Sequence, residues 1–493
     1  MIPYYRKGER PAQPDAEGTP KKENVQMNKS LAMVLAFMLI CIGIISVSSA
    51  EPEITTYYMI KDDGTSEEYN VYQDGAYTYR FLPDGTLELL KVDTGTEVDT
   101  IPTENNGRKV TSIGLLVYCN RDDLTTVTIP DTITSIGRNA FSYCRNLREV
   151  ILPDTLTSIG KYAFKGCNKL KSITIPDSVA TIAEGAFSSC RNLSDIRISP
   201  DHPVYEFSNG VLINKKDSVL MQYLGRNTGN YEISSEIERI GENAFEDALL
   251  SSVVIPDSVT TIGDDAFRFM DNLKEITIPD SVTSIGSMVF YNNKSMTTVR
   301  IPAGVTELGG SCFTLCPNLN TIDIDPENPV FEMRGNMLIN KQKKSLYYHL
   351  DLDYGTFEIP EEITSLENGA FERNKNLTEI IVPNNLTAIG GNAFRNCTEL
   401  TGIRLPGGLK SIEAYTFERC TKLKSVTIPE GVQALYIYTF KDCSNLEEVI
   451  IPASVARMDP EVFKGCEKLV CKVVEGSYAQ EYCEKNGIKY EFQ

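Results

Sequence analysis

The sequence repeats itself every 23 residues, and this restricts what it can fold into more than any other feature. Ile129-Pro130, Leu152-Pro153 and Ile175-Pro176 share that spacing. So do Ile255-Pro256, Ile278-Pro279 and Ile301-Pro302, and then Ile359-Pro360, Val382-Pro383, Leu405-Pro406, Ile428-Pro429 and Ile451-Pro452. The consensus is I-P-x-x-V-T-x-I-G-x-x-A-F-x-x-C-x-x-L-x-x-I-x. A unit this short cannot bury its own apolar face, so neighbours must stack. From Ile101 onward the spacing gives about fifteen turns. The turns that begin at Ile198 and Ile324 are longer, and the register restarts at Ile233-Ser234 and Ile359-Pro360. Their inserts, near 201–232 and 326–358, resemble each other. HPVYEFSNGVLINKKDSVLMQYL stands beside NPVFEMRGNMLINKQKKSLYYHL, and both read as projecting β-hairpins.

Within one unit, Leu147-x-x-Val150-x-Leu152 has the alternation of a short strand, ended by Pro153. Val-Thr-x-Ile-Gly reads as a second extended piece. Ala140-Phe141-x-x-Cys144-x-x-Leu147 is apolar at every third position, which suits a turn of α- or 3₁₀-helix under the sheet. These units resemble the leucine-rich repeats of the BspA-like, or Treponema-type, group, over about residues 101–470. The resemblance implies an α/β-repeat solenoid, a curved right-handed superhelix. It also implies an extracytoplasmic location and a role in adhesion or protein binding.

The flanks read differently. Residues 1–30 are a polar leader with four Pro and six basic residues. Residues 31–50 hold the uncharged run Leu31–Val47 followed by Ser48-Ser49-Ala50, a secretory signal or an uncleaved anchor. With Met27 as the start, the signal has ordinary length. Residues 51–100, with Asp63-Gly64, Asp74-Gly75 and Asp84-Gly85, read as an N-terminal β cap. Residues 471–493 read as a C-terminal cap, a helix from about Tyr478 to Lys485 ended at Asn486-Gly487 and followed by a strand.

The net charge of −19 argues against nucleic acid. Two His in 493 residues leave little for a His-based triad or a His-ligated metal. His202 and His349 read as exposed loop residues at non-equivalent places in the inserts. Of the 13 Cys, Cys144, Cys167, Cys190, Cys316, Cys397, Cys420, Cys443 and Cys466 all lie three residues after the repeat Phe. Ala248 and Met270 share that slot, so it reads as a packing position holding free thiols. A Cys471–Cys483 bridge would fit the cap. Asp323, Asp325 and Glu327, and again Asp351 and Asp353, could offer oxygens to calcium but match no known loop pattern, and read as solvated charges. The chain carries no phosphate loop, nucleophile elbow or HExxH. We therefore expect no enzyme, cofactor or metal.

The expected working surface is the outward face of the strands. Thr, Val and Ile are the ordinary choices there. Arg197, Arg300, Asp323 and Arg404 depart from them, and Arg is favoured at interface hot spots. The insert aromatics Tyr205, Phe207, Tyr347 and Tyr348 form a second candidate, against the reading that they only pack the hairpins. The partner would be a protein or a glycan, such as a host extracellular-matrix component or another surface protein. Membrane contact would come only through residues 31–47, if uncleaved. A structural envelope spacer is the alternative to adhesion or recognition.

Overall fold

A computed structural model describes residues 55–60, 66–93 and 100–493. The leader and the apolar run 31–47 lie outside these. Among the described residues no helix is long and apolar enough to cross a membrane. The chain divides into two compact units, one ending at Val204 and the other spanning Tyr205–Gln493. Both are leucine-rich-repeat solenoid, with about 17 turns of roughly 23 residues in all, where the spacing gave about fifteen.

Each turn contributes two strands. In the first unit the longer ones include Glu149–Ile151 and Ser172–Ile175, ending just before the repeat Pro. The shorter ones are Ser135–Ile136, Ser158–Ile159 and Thr181–Ile182. These strands pair in parallel with counterparts 23 residues away, as in Val127↔Val150, Ile173↔Ile196 and Ile159↔Ile182. An antiparallel meander precedes this ladder: β1 (Thr55–Ile60), β2 (Ser66–Asp74), β3 (Tyr77–Phe81) and β4 (Leu87–Val92). β4 then pairs in parallel with Arg108–Ile113, which hands the sheet on to the repeats.

The second unit repeats this plan around two inserts. Each insert is a three-stranded antiparallel ribbon, for example Phe331–Arg334, Met337–Asn340 and Ser345–His349. The third strand does not project. It joins the short-strand ladder through Leu346↔Leu366, as Leu220↔Ile240 does in the first insert. At its far end, helix α1 (Tyr478–Asn486) is capped by the Ser477 side chain and stopped by Gly487 in a left-handed conformation. Lys489–Phe492 then adds a last parallel strand.

The third side of each turn is neither α- nor 3₁₀-helix, contrary to the expectation from Ala140-Phe141-x-x-Cys144. It is a run of tight turns. The residues two before and two after the repeat Phe have positive φ, as at Asn139 (55°) and Tyr143 (58°), or Asn392 (59°) and Asn396 (58°). Two left-handed residues break any right-handed helix. They also turn alternate N–H groups toward the next turn: Asn139 donates to Lys161, Phe141 to Ala163 and Tyr143 to Lys165. The remaining N–H groups close locally, Cys144 donating to Phe141. Apolar spacing of three marks this corner correctly but does not distinguish helix from alternating turns.

The core follows the repeat. In the first unit Tyr118, Phe141, Phe164 and Phe187 stack at 5.0, 5.4 and 5.8 Å. In the second, Phe371, Phe394, Phe417, Phe440 and Phe463 continue at 5.3–5.6 Å. Such pairs contribute about 0.5–1.5 kcal/mol each beyond area burial. Beside this column runs the cysteine slot. Each thiol donates to the carbonyl of the preceding turn's aromatic residue, Cys167 to Phe141 at 3.2 Å and Cys420 to Phe394 at 3.1 Å. Burial pushes the thiols of Cys144 and Cys316 up to about 12. The twelve described cysteines, Cys471 and Cys483 included, are all free thiols. The repeat Gly is a close-approach residue rather than a turn residue. A Cβ on Gly160 would lie 2.7 Å from the backbone of Gly137 one turn earlier.

Candidate functional site

The outward face of the long strands is built by register. In-register parallel pairing sets residues 23 apart side by side, and strand alternation points every second side chain to solvent. The exposed row contains Ile151, Thr174 and Arg197 in the first unit. In the second it contains Val254, Thr277, Arg300 and Asp323, and on another sheet Ile381, Arg404 and Thr427. Ile151 and Val254 are each 51% exposed, so the row is apolar as well as charged.

The charged candidates fall into three separate settings. Arg197 bonds Asp195 on its own strand at 3.0 Å. Arg300 and Asp323 are brought together as Cα partners on neighbouring strands, with Nε 3.9 Å from the carboxylate. Arg300 also bonds Asp325 at 2.9 Å. The Glu327 amide and Arg300 together hold the Asp325 carboxyl below the usual carboxylate range. Arg404 is exposed just beyond Gly402–Ile403, on the sheet that begins after the second insert, and is not brought to Arg300. Exposed pairs of this kind add little stability, about 0–1 kcal/mol.

The insert aromatics are placed otherwise than a contact surface requires. Tyr205, Tyr347 and Tyr348 are only 3–8% exposed, and Phe207 is half-buried. Phe331 takes the edge of Tyr347 at 5.3 Å, and Tyr348 packs against Phe313 at 5.8 Å. Tyr348 thus packs its ribbon onto the solenoid and Tyr347 packs within the ribbon, and all three tyrosines are buried rather than offered to a partner. His202 and His349 are also fully buried, not exposed loop residues. Nδ1 of His202 accepts the Val204 amide at 3.2 Å, so the ring closes the chain's entry into the insert.

The acidic runs are internally used. Asp325 serves Arg300 and the Glu327 amide, Asp351 accepts the Lys375 amide at 3.2 Å, and Asp353 faces His349 at 2.9 Å. Among the described residues no cluster of three His, Cys, Asp or Glu is arranged to hold a metal.

One feature escaped the sequence reading. The residue after the repeat Phe forms a charge ladder on the turn corner: Glu372, Arg395, Glu418 and Lys441. Arg395 lies 3.6 Å from Glu372 and 2.6 Å from Glu418, which Lys441 reaches at 3.1 Å. Both carboxylates are buried. Desolvation outweighs the attraction of Arg395 and raises the Glu372 carboxyl to about 7. The signal was available as alternating sign at a spacing of 23 residues, but nothing local marks those positions as buried.

The fold and its repeat chemistry define a leucine-rich-repeat protein. The sequence matches the BspA type leucine rich repeat region in six copies, over residues 111–216, 238–352 and 340–470, and the chain belongs to this family. No curated protein matches the sequence significantly. Similar solved structures include a leucine rich cell surface protein from Faecalibacterium prausnitzii. It is 28% identical over 85% of this chain and 97% of that one, with a TM-score of 0.45. The pneumococcal vaccine antigen PcpA is 18% identical over 86% and 98%, at 0.42. A leucine-rich repeat protein from Bacteroides ovatus is 21% identical over 86% and 99%, at 0.34.

Proposed function

We propose that this chain is an exported recognition protein that binds a protein partner through the exposed face of its long strands, at a cell surface or host interface. The observation that carries this reading is the outward row itself. Exposed Thr174 lies beside Arg197 in one unit and exposed Thr277 beside Arg300 in the other, and Ile151 and Val254 further along are about half exposed. Solenoids use such extended surfaces for binding, and Arg is over-represented where binding energy concentrates. Family membership supports recognition over catalysis. The acidic chain would repel nucleic acid. Export rests on the apolar run 31–47, outside the described residues, and N-terminal sequencing of the native protein checks it.

The test is a triple substitution, Arg197→Ser, Arg300→Ser and Arg404→Ser, in the chain from residue 51. Extracellular-matrix proteins and bacterial surface extracts are offered to the immobilised wild type and variant. The thermal midpoint should move by no more than a few degrees, as for most surface changes. Binding seen with the wild type should weaken by at least about tenfold, about 1.4 kcal/mol. Binding that is unchanged removes the strand face as the site. Absence of any binder points to a structural spacer instead.

A further inference from the structure

The long-strand sheet of the second unit finishes on Lys489–Phe492, which pairs in parallel with Val470–Val473. Among the described residues nothing pairs with its other edge. The pairing divides its backbone between two sides. Gln493 donates its amide to Val473, whose Cα partner is Phe492. By strand alternation Lys489 and Glu491 share that bonding direction. The N–H and C=O groups of Tyr490 and Phe492 therefore point off the sheet.

Side chains on this edge do not shield it in the ordinary way. Lysines on an edge strand usually discourage pairing. Here Lys489 and Glu491 stand two residues apart on the outward face, both exposed, and Glu491 also meets Lys472. Opposite charges at that spacing make the strand complementary to an antiparallel copy of itself. Tyr490 and Phe492 take the inward face, as Cα partners of the buried Cys471 and Val473. Phe492 remains 50% exposed, although its ring meets that of Tyr490 at 5.8 Å.

We propose that two copies of this chain pair through this edge, antiparallel about a two-fold axis at Tyr490, joining their sheets into one. An axis perpendicular to the sheet lets only like-facing residues meet. Centred on Tyr490, the register sets Lys489 of each copy opposite Glu491 of the other. It sets Phe492 against Ile488 of the second copy, a residue already packed against the core. Tyr490 exchanges both backbone bonds with its own counterpart. The Phe492 amide reaches the Ile488 carbonyl of the second copy, while the Ile488 amide stays with Cys483 of its own chain. Centring on Glu491 would oppose two carboxylates, and centring on Lys489 two ammonium groups, both unfavourable. Charge therefore selects one register, with a second copy as the occupant. So short an edge makes a weak, reversible dimer. Its consequence is bivalence, because the outward strand faces of the two second units lie on the same side. That consequence rests on the strand-face reading above, whereas the pairing itself does not.

Sedimentation equilibrium of the full chain, from about 1 µM to about 1 mM, reads the association. Wild type should show a monomer–dimer equilibrium in this range. Lys489→Glu and Glu491→Lys should each weaken it at least about tenfold, since every Lys–Glu pair becomes a like-charge pair. An equimolar mixture of the two variants should recover the wild-type constant, because each copy supplies the sign that the other lacks. A wild type that stays monomeric, variants that associate as wild type does, or a mixture no tighter than either variant alone would each overturn the proposal. If Glu491→Lys does not fold, Phe492→Pro decides. It removes an amide that points away from the neighbouring strand, a position where proline is tolerated. Its thermal midpoint should hold while association weakens at least about tenfold, and association at wild-type strength rejects the edge.

Discussion

Glu372 shows how much one side chain depends on neighbours that are distant in sequence. Its carboxyl is raised from the ordinary 4.5 to about 7 because the solenoid corner closes over it. The folded state thus holds the proton more tightly than the unfolded chain. The associated stability is complete below about pH 4.5 and is lost as pH rises through 7. Glu372→Gln should therefore stabilise the protein at pH 8, by on the order of 1–3 kcal/mol, and make little difference at pH 4. Denaturant titrations at the two pH values check this, and equal shifts at both would show that the carboxyl ionises freely. Residue identity at repeat positions was legible beforehand: the Phe column and the cysteine slot follow from spacing alone. Burial of Glu372, of His349 and of the insert tyrosines was not. For His349 and the tyrosines it depends on which face of an insert turns inward, and an amphipathic ribbon of mixed aromatics does not encode that locally; for Glu372 it depends on the corner residues of the neighbouring turns, such as Arg395.

At the scale of the element, the strands and the Phe column were readable because alternation and a fixed repeat are both long-range regularities. The corner was misread because helix and alternating left-handed turns place apolar residues at the same interval. What favours the turns is the neighbour: alternate amides find acceptors one turn away instead of within a helix. The inserts were read as projecting β-hairpins; they are three-stranded ribbons, and nothing in them showed that their third strands would enter the ladder. Phe164 tests the column as an element. It stacks on Phe141 and Phe187 and is fully buried. Phe164→Ala should cost about 3–5 kcal/mol by removing ring contacts and leaving a cavity. Urea unfolding of that variant, monitored by exchange of the flanking turns, measures it.

At the scale of the whole chain, the repeat predicts which lengths are tolerated. Deleting residues 153–175 removes one complete turn and joins Leu152 to Pro176, preserving every register. That variant should keep its β-rich circular dichroism and fold cooperatively, because each turn contacts only its neighbours. Deleting residues 153–164 instead should abolish the fold, since the remaining half-turn would present the wrong side chains to the core. Protease resistance of the two variants distinguishes them.

The alternating left-handed residues have an electrical consequence. Along the corner of each unit the inter-turn bonds all run one way, from an amide to a carbonyl of the following turn. Each such peptide is a dipole of about 3.5 D, and aligned peptides add as they do in a helix. The sense is reversed, however. An α-helix exposes its free amides at its N-terminal end, whereas this corner directs them toward the C-terminal end of the stack. The corner of each unit is thus a polar edge, weakly positive toward its trailing end, while the amides beside the short strands, such as Gly137 to Ile113 and Gly160 to Ile136, point the other way and confine the effect to the corner.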